Sequence, residues 1–258
     1  MTRSVLIVVT AMTATTALFA QSNPHEVQPE RPTVATHAGT VAPGWIELET
    51  GAEYDRFKDA THGLVLPVFF KLGLAKRVQL GLSVPWAKPA GSDVGFADLS
   101  VALKVRLLDH GVLGRFAVQP VLKLPTGSSS AGRGTGTTDV SLLLISSHML
   151  GPVSMDLNAG ITRRSGDGTA APRTSTVWTA SFGGPATGPL GWVFECFGYP
   201  KTNGPAGSPS TVALLGGPTY KVSSWLAVDA GGIIPIAGTT TQPKAIYAGL
   251  TWNIGRYR

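Results

Sequence analysis

The chain has 258 residues, of which 43% are hydrophobic and only 14% are charged, whereas an ordinary soluble domain carries about 25% charged residues. Its 32 glycines and 19 prolines disfavour long helices, and its hydrophobic content excludes intrinsic disorder. The single cysteine, Cys196, excludes a disulfide framework and a multi-cysteine metal site, and the basic residues behind the net charge of +6 are scattered, which argues against nucleic acid as a partner.

The first residues have the pattern of a secretory signal peptide. A positive charge at Arg3 precedes the apolar run Val5–Val9, and small residues follow as far as Ala20. The alternative is an uncleaved anchor helix, but the apolar run is too short to cross about 30 Å of hydrocarbon. We therefore predict a signal peptide at residues 1–20, cleaved near Ala20.

Residues 21–43 form a short stretch that is rich in proline and threonine. We predict a short N-terminal periplasmic segment here, although such a segment could also thread the lumen of a barrel. Residues 44–258 are predicted to form the body of the protein, for the reasons that follow.

From residue 44 onward, hydrophobic and polar residues alternate with the period of two that is typical of β-strands. In the first strand, Ile46 and Leu48 lie on one face and Glu47 and Glu49 on the other. Beyond the signal peptide no apolar run is long enough for a spanning helix, and a chain in a membrane must satisfy its backbone polar groups internally, which leaves a closed barrel. A soluble β-sandwich would also alternate, but the predicted strands are about ten residues long, as a bilayer crossing requires. We therefore predict an all-β fold, a closed antiparallel up-and-down transmembrane β-barrel with about 12 strands.

The predicted strands are separated by turns that alternate between short and long. They occupy residues 44–57, 64–74, 78–85, 95–108, 115–125, 138–150, 153–163, 174–184, 191–199, 210–222, 225–235 and 244–255. Bacterial outer-membrane barrels have short periplasmic turns, longer outer loops and an even number of strands. The pattern therefore predicts location in the outer membrane of a bacterium. Pro67, Pro120 and Pro218 each remove a ladder donor and predict bulges or shifts of register.

Several stretches of the predicted barrel are similar, in the same order, to one family of proteins. They are Gly44–Arg56, Leu64–Trp86, Gly95–Asp109, Val121–Ser128, Thr138–Arg164 and Tyr247–Ile254. In these stretches the chain resembles the transporter-like outer-membrane proteins labelled "putative MetA-pathway of phenol degradation". The resemblance implies an outer-membrane barrel and the uptake of aromatic compounds, and it brings no catalytic or binding motif.

The predicted inward faces collect ionisable side chains, which are costly to bury at membrane depth and must face a wet lumen or one another. The predicted pore-lining residues are Glu47, Glu49, Glu53, Asp55, Lys71, Lys104, Arg106, Lys123, Asp156, Glu195 and Asp229. They either select solutes in a polar channel or close a narrow lumen as a network of salt bridges. The acidic row of the first strand lies beside Lys71, which favours pairing.

We predict a channel for the passive passage of small solutes, including aromatic or hydrophobic compounds, with no cofactor and no metal site. The expected partners are outer-membrane lipid, the small-molecule solute and the barrel-assembly machinery; the pattern specifies no oligomeric state. A non-conducting structural or surface-interaction barrel is the alternative. A lipid hydrolase would need a nucleophile with a base beside it, but His62 alone lies in an outer loop and no Gly-x-Ser-x-Gly motif occurs. We therefore predict that the protein is not an enzyme.

Overall fold

The computed structural model describes residues 23–238 and 243–257. The predicted signal peptide at residues 1–20 lies outside the described residues. Within them, no helix is long and apolar enough to cross a membrane. The strands, in chain order, are β1 (Trp45–Arg56), β2 (His62–Leu66), β3 (Val68–Ala75), β4 (Val78–Ser83), β5 (Trp86–Lys88), β6 (Gly95–Phe96), β7 (Leu99–Leu108), β8 (Arg115–Leu124), β9 (Asp139–Leu150), β10 (Val153–Arg164), β11 (Thr174–Thr187), β12 (Leu190–Tyr199), β13 (Thr211–Ser223), β14 (Leu226–Ala237) and β15 (Lys244–Arg256).

Twelve of these strands form a closed antiparallel ring in the order β1, β3, β4 and then β7 to β15, with β15 paired to β1. The predicted closed barrel is therefore confirmed, and the β-sandwich alternative is wrong. Closure matters because it removes the free edges whose N–H and C=O groups would otherwise face lipid. The short strands β2, β5 and β6 extend the sheet beyond the ring at one end.

Two of the predicted strands are interrupted, and a third, predicted at residues 78–85, is continued by a short strand beyond its predicted end. Pro67 separates β2 from β3, Pro85 lies between β4 and β5, and Asp98 lies between β6 and β7. At Pro67 and Pro85 the pairing stops because a proline has no N–H to donate to the ladder. The bulges or register shifts expected at Pro67, Pro120 and Pro218 are absent, since the pairing on either side of each proline keeps one register; this expectation was wrong.

The two ends of the barrel differ in the length of their connections. One end has tight turns at residues 76–77, 109–114, 151–152, 188–189 and 224–225. The other end has the connections at residues 57–61, 89–94, 125–138, 165–173 and 200–210, of which the last three have nine residues or more. Following the rule for bacterial barrels, the first is the periplasmic end and the second is the outer end.

The two faces of the wall differ as the alternation predicts. Outward positions carry exposed hydrophobic side chains such as Ile246 (66% exposed) and Ile234 (57%), as a surface in contact with hydrocarbon requires. Inward positions carry buried polar and charged side chains. At the periplasmic mouth, the rings of Trp45 and Trp225 lie 4.8 and 6.3 Å from the ring of His25.

Candidate solute pathway in the barrel lumen

Residues 24–43, which we call the inner segment, lie largely inside the barrel. The sequence predicts a short periplasmic segment here that could also thread the lumen, and Ala38 and Val41 are fully buried (0% exposed) within the ring. The segment starts at the periplasmic end, where the backbone N–H of Val27 donates to Ser224 O at 2.8 Å, and returns there before the N–H of Gly44 donates to Gly73 O at 2.7 Å. It can lie in the lumen because the wall supplies acceptors for its backbone N–H groups, which would otherwise be buried unpaired.

The first part of the inner segment follows β1. The N–H of Gln28 donates to Glu47 Oε2 at 2.6 Å, and the N–H of Glu30 donates to Glu49 Oε1 at 2.7 Å. The two hydrogen bonds have the same spacing on both partners. Inward side chains of a strand recur every second residue, and so do the N–H groups on one side of an extended segment. Glu47 and Glu49 of the acidic row on β1 therefore bind the backbone of the inner segment.

Two lysines neutralise the carboxylates around this contact. Lys71 Nζ lies 2.8 Å from Glu49 Oε1 and 3.3 Å from Glu47 Oε1. These distances agree with the alternative in which the ionisable residues form a network of salt bridges. Lys104 Nζ lies 2.6 Å from Glu30 Oε1, and it also donates to Thr36 Oγ1 at 2.8 Å. Buried charges are tolerated when they are paired and hydrogen-bonded, so this cluster fixes the inner segment to β1, β3 and β7.

Two ionisable groups of the inner segment, Glu30 and His37, have pKa values that this environment shifts. Burial alone would raise the pKa of Glu30, but the positive charges of Lys104 and Lys71 outweigh it and hold the pKa well below the ordinary 4.5. Burial, together with the charge of Lys104, lowers the pKa of His37 to about 3. At neutral pH Glu30 is therefore ionised and His37 is neutral.

The second part of the inner segment turns across the lumen to the opposite wall. The N–H groups of Val34 and Ala35 donate to the two carboxylate oxygens of Glu195 at 2.8 and 2.7 Å. The N–H of Thr36 then donates to Asn158 Oδ1 at 2.7 Å, and Asn158 Nδ2 donates back to Thr36 O at 2.9 Å. The segment thus spans the lumen from β1 to β12 and β10.

The return path uses neutral side chains that the sequence analysis missed. The N–H of Ala38 donates to Ser147 Oγ at 2.8 Å, and the N–H of Val41 donates to Gln79 Oε1 at 3.0 Å. The predicted pore-lining residues are all ionisable. The available signal was an amide or hydroxyl at an inward position of the alternation, which Gln79 and Ser147 both occupy.

Arg31 of the inner segment binds Asp229 of the wall. Its Nε and Nη2 each lie 3.3 Å from a carboxylate oxygen of Asp229. Space for the guanidinium comes from Gly51 and Gly249, which are directly paired between β1 and β15, because a Cβ at either position would collide with Arg31.

The remaining predicted residues lie above or below the inner segment. Glu53 and Asp55 continue the acidic row towards the outer end. Lys123, also near that end, pairs with Asp98 at 2.5 Å, whereas Arg106 at the periplasmic rim pairs with Asp109 at 2.9 Å.

Two cavities lie on the periplasmic side of the inner segment. One, of about 520 Å³, is covered by Arg31 and Thr33 and bounded by Ser154, Asp156 and Ser181 of the wall. Asp156 accepts a hydrogen bond from Ser147 at 2.5 Å. The other, of about 600 Å³, lies beside the returning part of the segment. The first cavity exists because the inward side chains of β10 and β11 are short here.

On the side formed by β12 to β15, the inner wall of the barrel has an apolar patch towards the outer end. Its buried cluster consists of Phe197, Ala213, Leu215, Ile233, Ala245 and Tyr247 on β12 to β15. Thr179 Oγ1 and Tyr247 Oη are buried and have no hydrogen-bond partner among the described residues. Val34 of the inner segment, adjacent to Glu195, is 39% exposed. Apolar side chains next to two buried hydroxyls that lack partners are the kind of environment that suits an apolar ligand with a hydrogen-bonding group.

His62, the residue considered for a hydrolase, lies at the start of β2. Its ring stacks on the ring of Tyr54 at a centroid distance of 5.2 Å. This contact places it on the rim of the barrel rather than in the lumen.

The closed ring, its apolar outer face and its polar interior define a transmembrane β-barrel of the outer-membrane type. The chain belongs to the family described as "Putative MetA-pathway of phenol degradation", which it matches over residues 31–248. The resemblance found in the sequence is therefore confirmed.

Solved structures share the fold at low sequence identity. The COG4313 outer membrane channel from Pseudomonas putida F1 is similar with a TM-score of 0.63 and 12% identity, over 88% of this chain and 98% of that chain. The KdgM porin is similar with a TM-score of 0.55 and 12% identity, over 81% of this chain and 99% of that chain. None of the curated proteins compared with the chain shows significant sequence similarity to it.

Proposed function

We propose that this protein is an outer-membrane channel for the passive passage of small solutes, and that the inner segment determines what passes. The observation that carries the proposal is a closed barrel whose lumen contains cavities of about 520 and 600 Å³ beside a segment held mainly by hydrogen bonds. The similar solved structures include an outer membrane channel and a porin, which supports the same role. No catalytic step is part of this proposal.

The solutes we propose are aromatic or hydrophobic compounds with a hydroxyl group. Support comes from the apolar cluster in the outer half of the lumen and from the unpartnered hydroxyls of Thr179 and Tyr247 beside it. Phenol binding to the purified barrel, measured by calorimetry, should weaken by about fivefold in Tyr247→Phe, since a neutral hydrogen bond contributes about 1 kcal/mol. Tyr199→Phe is the matched control, because Tyr199 is 40% exposed at the end of β12. Equal affinity in both variants would remove this assignment.

A non-conducting barrel is the second candidate. It is favoured by the buried charge cluster of Glu30, Lys71 and Lys104, which holds the inner segment across the lumen. If this cluster never opens, the protein acts as a wall component or a surface for interactions.

Conductance across planar bilayers separates the two candidates. We expect stepwise conductance from the full chain and larger steps from a variant that lacks residues 24–42. Folding of both proteins is checked by their heat-modifiable migration on gels. If neither folded protein conducts, the channel proposal fails and the non-conducting barrel stands.

A further inference from the structure

A row of basic side chains crosses adjacent strands at the outer end of the barrel. Lys244 of β15 is directly opposite Arg56 of β1, and Arg56 is directly opposite His62 of β2. Lys88 of β5 is opposite Leu64, two residues after His62. All four polar side chains are exposed. Directly opposed residues share a face of the sheet, as do residues two apart, so the row lies on one face.

That face is the one that contacts the membrane. One step closer to the membrane centre, the same face carries Ile246 and Tyr54, which are 66% and 43% exposed. The acidic side chains of Glu53 and Asp55 occupy the alternate positions and point into the lumen. The basic row therefore lies just outside the hydrocarbon, at the level of the lipid headgroups of the outer leaflet.

The row has no anionic partner in the part of the chain that the structure describes. No ion pair joins Arg56, Lys244 or Lys88 to a carboxylate there, and residues 239–242, which precede Lys244 in the sequence, include no acidic residue. Asp59, in the loop after β1, accepts hydrogen bonds from Thr61. Like charges placed directly opposite each other in a sheet are destabilising, so an anion between Arg56 and Lys244 would stabilise the rim.

We propose that this basic row binds the phosphate groups of the phosphorylated glycolipid of the outer leaflet. Arginine and lysine at the edge of the hydrocarbon attract anionic headgroups, and a guanidinium can bind two phosphate oxygens at once. The acyl chains of the glycolipid would lie against Ile246 and Tyr54. The inference rests on an outer-membrane location and is independent of whether the barrel conducts.

Binding of purified lipid A to the detergent-solubilised full chain, measured by native mass spectrometry, tests the proposal. The double variant Arg56→Gln/Lys244→Gln should bind about 25-fold more weakly, because each basic side chain near an anionic headgroup contributes about fivefold. The charge-matched control is Arg173→Gln/Lys201→Gln, which removes two exposed cations from other loops of the same end. Arg56→Lys should keep most of the binding.

Three outcomes would overturn the proposal. The first is equal lipid A binding by the wild-type protein and the double variant, with both shown to be folded by heat-modifiable migration. The second is an equal loss in the control, which would mean diffuse attraction by the whole outer end. The third is displacement of lipid A by inorganic phosphate at comparable concentration, which would indicate a site for a free anion.

Discussion

Glu30 Oε1 lies 2.6 Å from Lys104 Nζ inside the barrel, and this ion pair joins the inner segment to β7. Both side chains are buried, with exposures of 9% and 1%. Breaking this pair should therefore affect both the position of the inner segment and the stability of the barrel wall.

Replacing Lys104 by methionine should lower the free energy of unfolding by about 3 kcal/mol, because it leaves the buried carboxylate of Glu30 without its nearest cation. Urea unfolding in detergent micelles, followed by tryptophan fluorescence, measures this. Arg77→Met is the control, since Arg77 pairs with Asp109 at the exposed rim and such pairs contribute less than about 1 kcal/mol. Adding Glu30→Gln to Lys104→Met should restore part of the loss; no recovery would show that the two charges are not coupled.

Acidification should weaken the attachment of the inner segment only when the pH falls below the ordinary pKa of a glutamate. Because Lys104 and Lys71 outweigh burial and hold the pKa of Glu30 below its ordinary value of 4.5, its contribution is complete above that value and is lost as the pH falls below it. Between about pH 5 and pH 3, the free energy of unfolding should fall more steeply in the wild-type protein than in Glu30→Gln. Identical slopes would contradict the assignment.

Gly73→Ala should displace the inner segment where it rejoins β1. An added Cβ would collide with the backbone of Val41 and Ala42, so we expect a loss of about 2 kcal/mol, as for other overpacked sites. Gly216→Ala is the matched control, because its Cβ would lie 3.4 Å from Val193 O, an ordinary contact. Hydrogen exchange of residues 39–44 should rise in the first variant, and unchanged exchange would argue against this contact.

Glu195→Gln should expose the top of the inner segment to exchange. A carboxylate accepts from both Val34 and Ala35, whereas an amide offers one acceptor and turns a donor towards the other N–H. We expect a loss of about 2 kcal/mol, since bonds to charged groups are the stronger ones, and faster hydrogen exchange at both amides. Glu26→Gln, at the exposed pair with Lys221, should leave these two amides protected; equal exchange in both variants would refute the role of Glu195.

The wall of the barrel could be predicted because the alternation of hydrophobic and polar residues within a strand shows which side chains point inward. Alternation placed Glu47 and Lys71 on the inward face, and their ion pair at 3.3 Å follows from strands that are neighbours in the ring. The interruptions at Pro67 and Pro85 were harder to predict, because a proline within a strand ends pairing in some positions and is tolerated in others, such as Pro120.

The contacts of the inner segment could not be predicted in the same way. Its partners Glu195, Asn158 and Gln79 lie on strands far apart in the sequence, and the segment itself has no hydrophobic period that would indicate a surface to pack on. Asn158 and Gln79 were not among the predicted residues, which were all ionisable. An amide at an inward position predicts a side chain in the lumen, but it does not predict that this side chain binds the backbone of another segment.

The sequence by itself determined which side of each strand meets hydrocarbon, because a period of two is a local property of the backbone. Only the tertiary structure decided what occupies the space inside. Backbone N–H groups of residues 28–41 donate to side chains on several strands. These side chains surround one segment only after the barrel has closed.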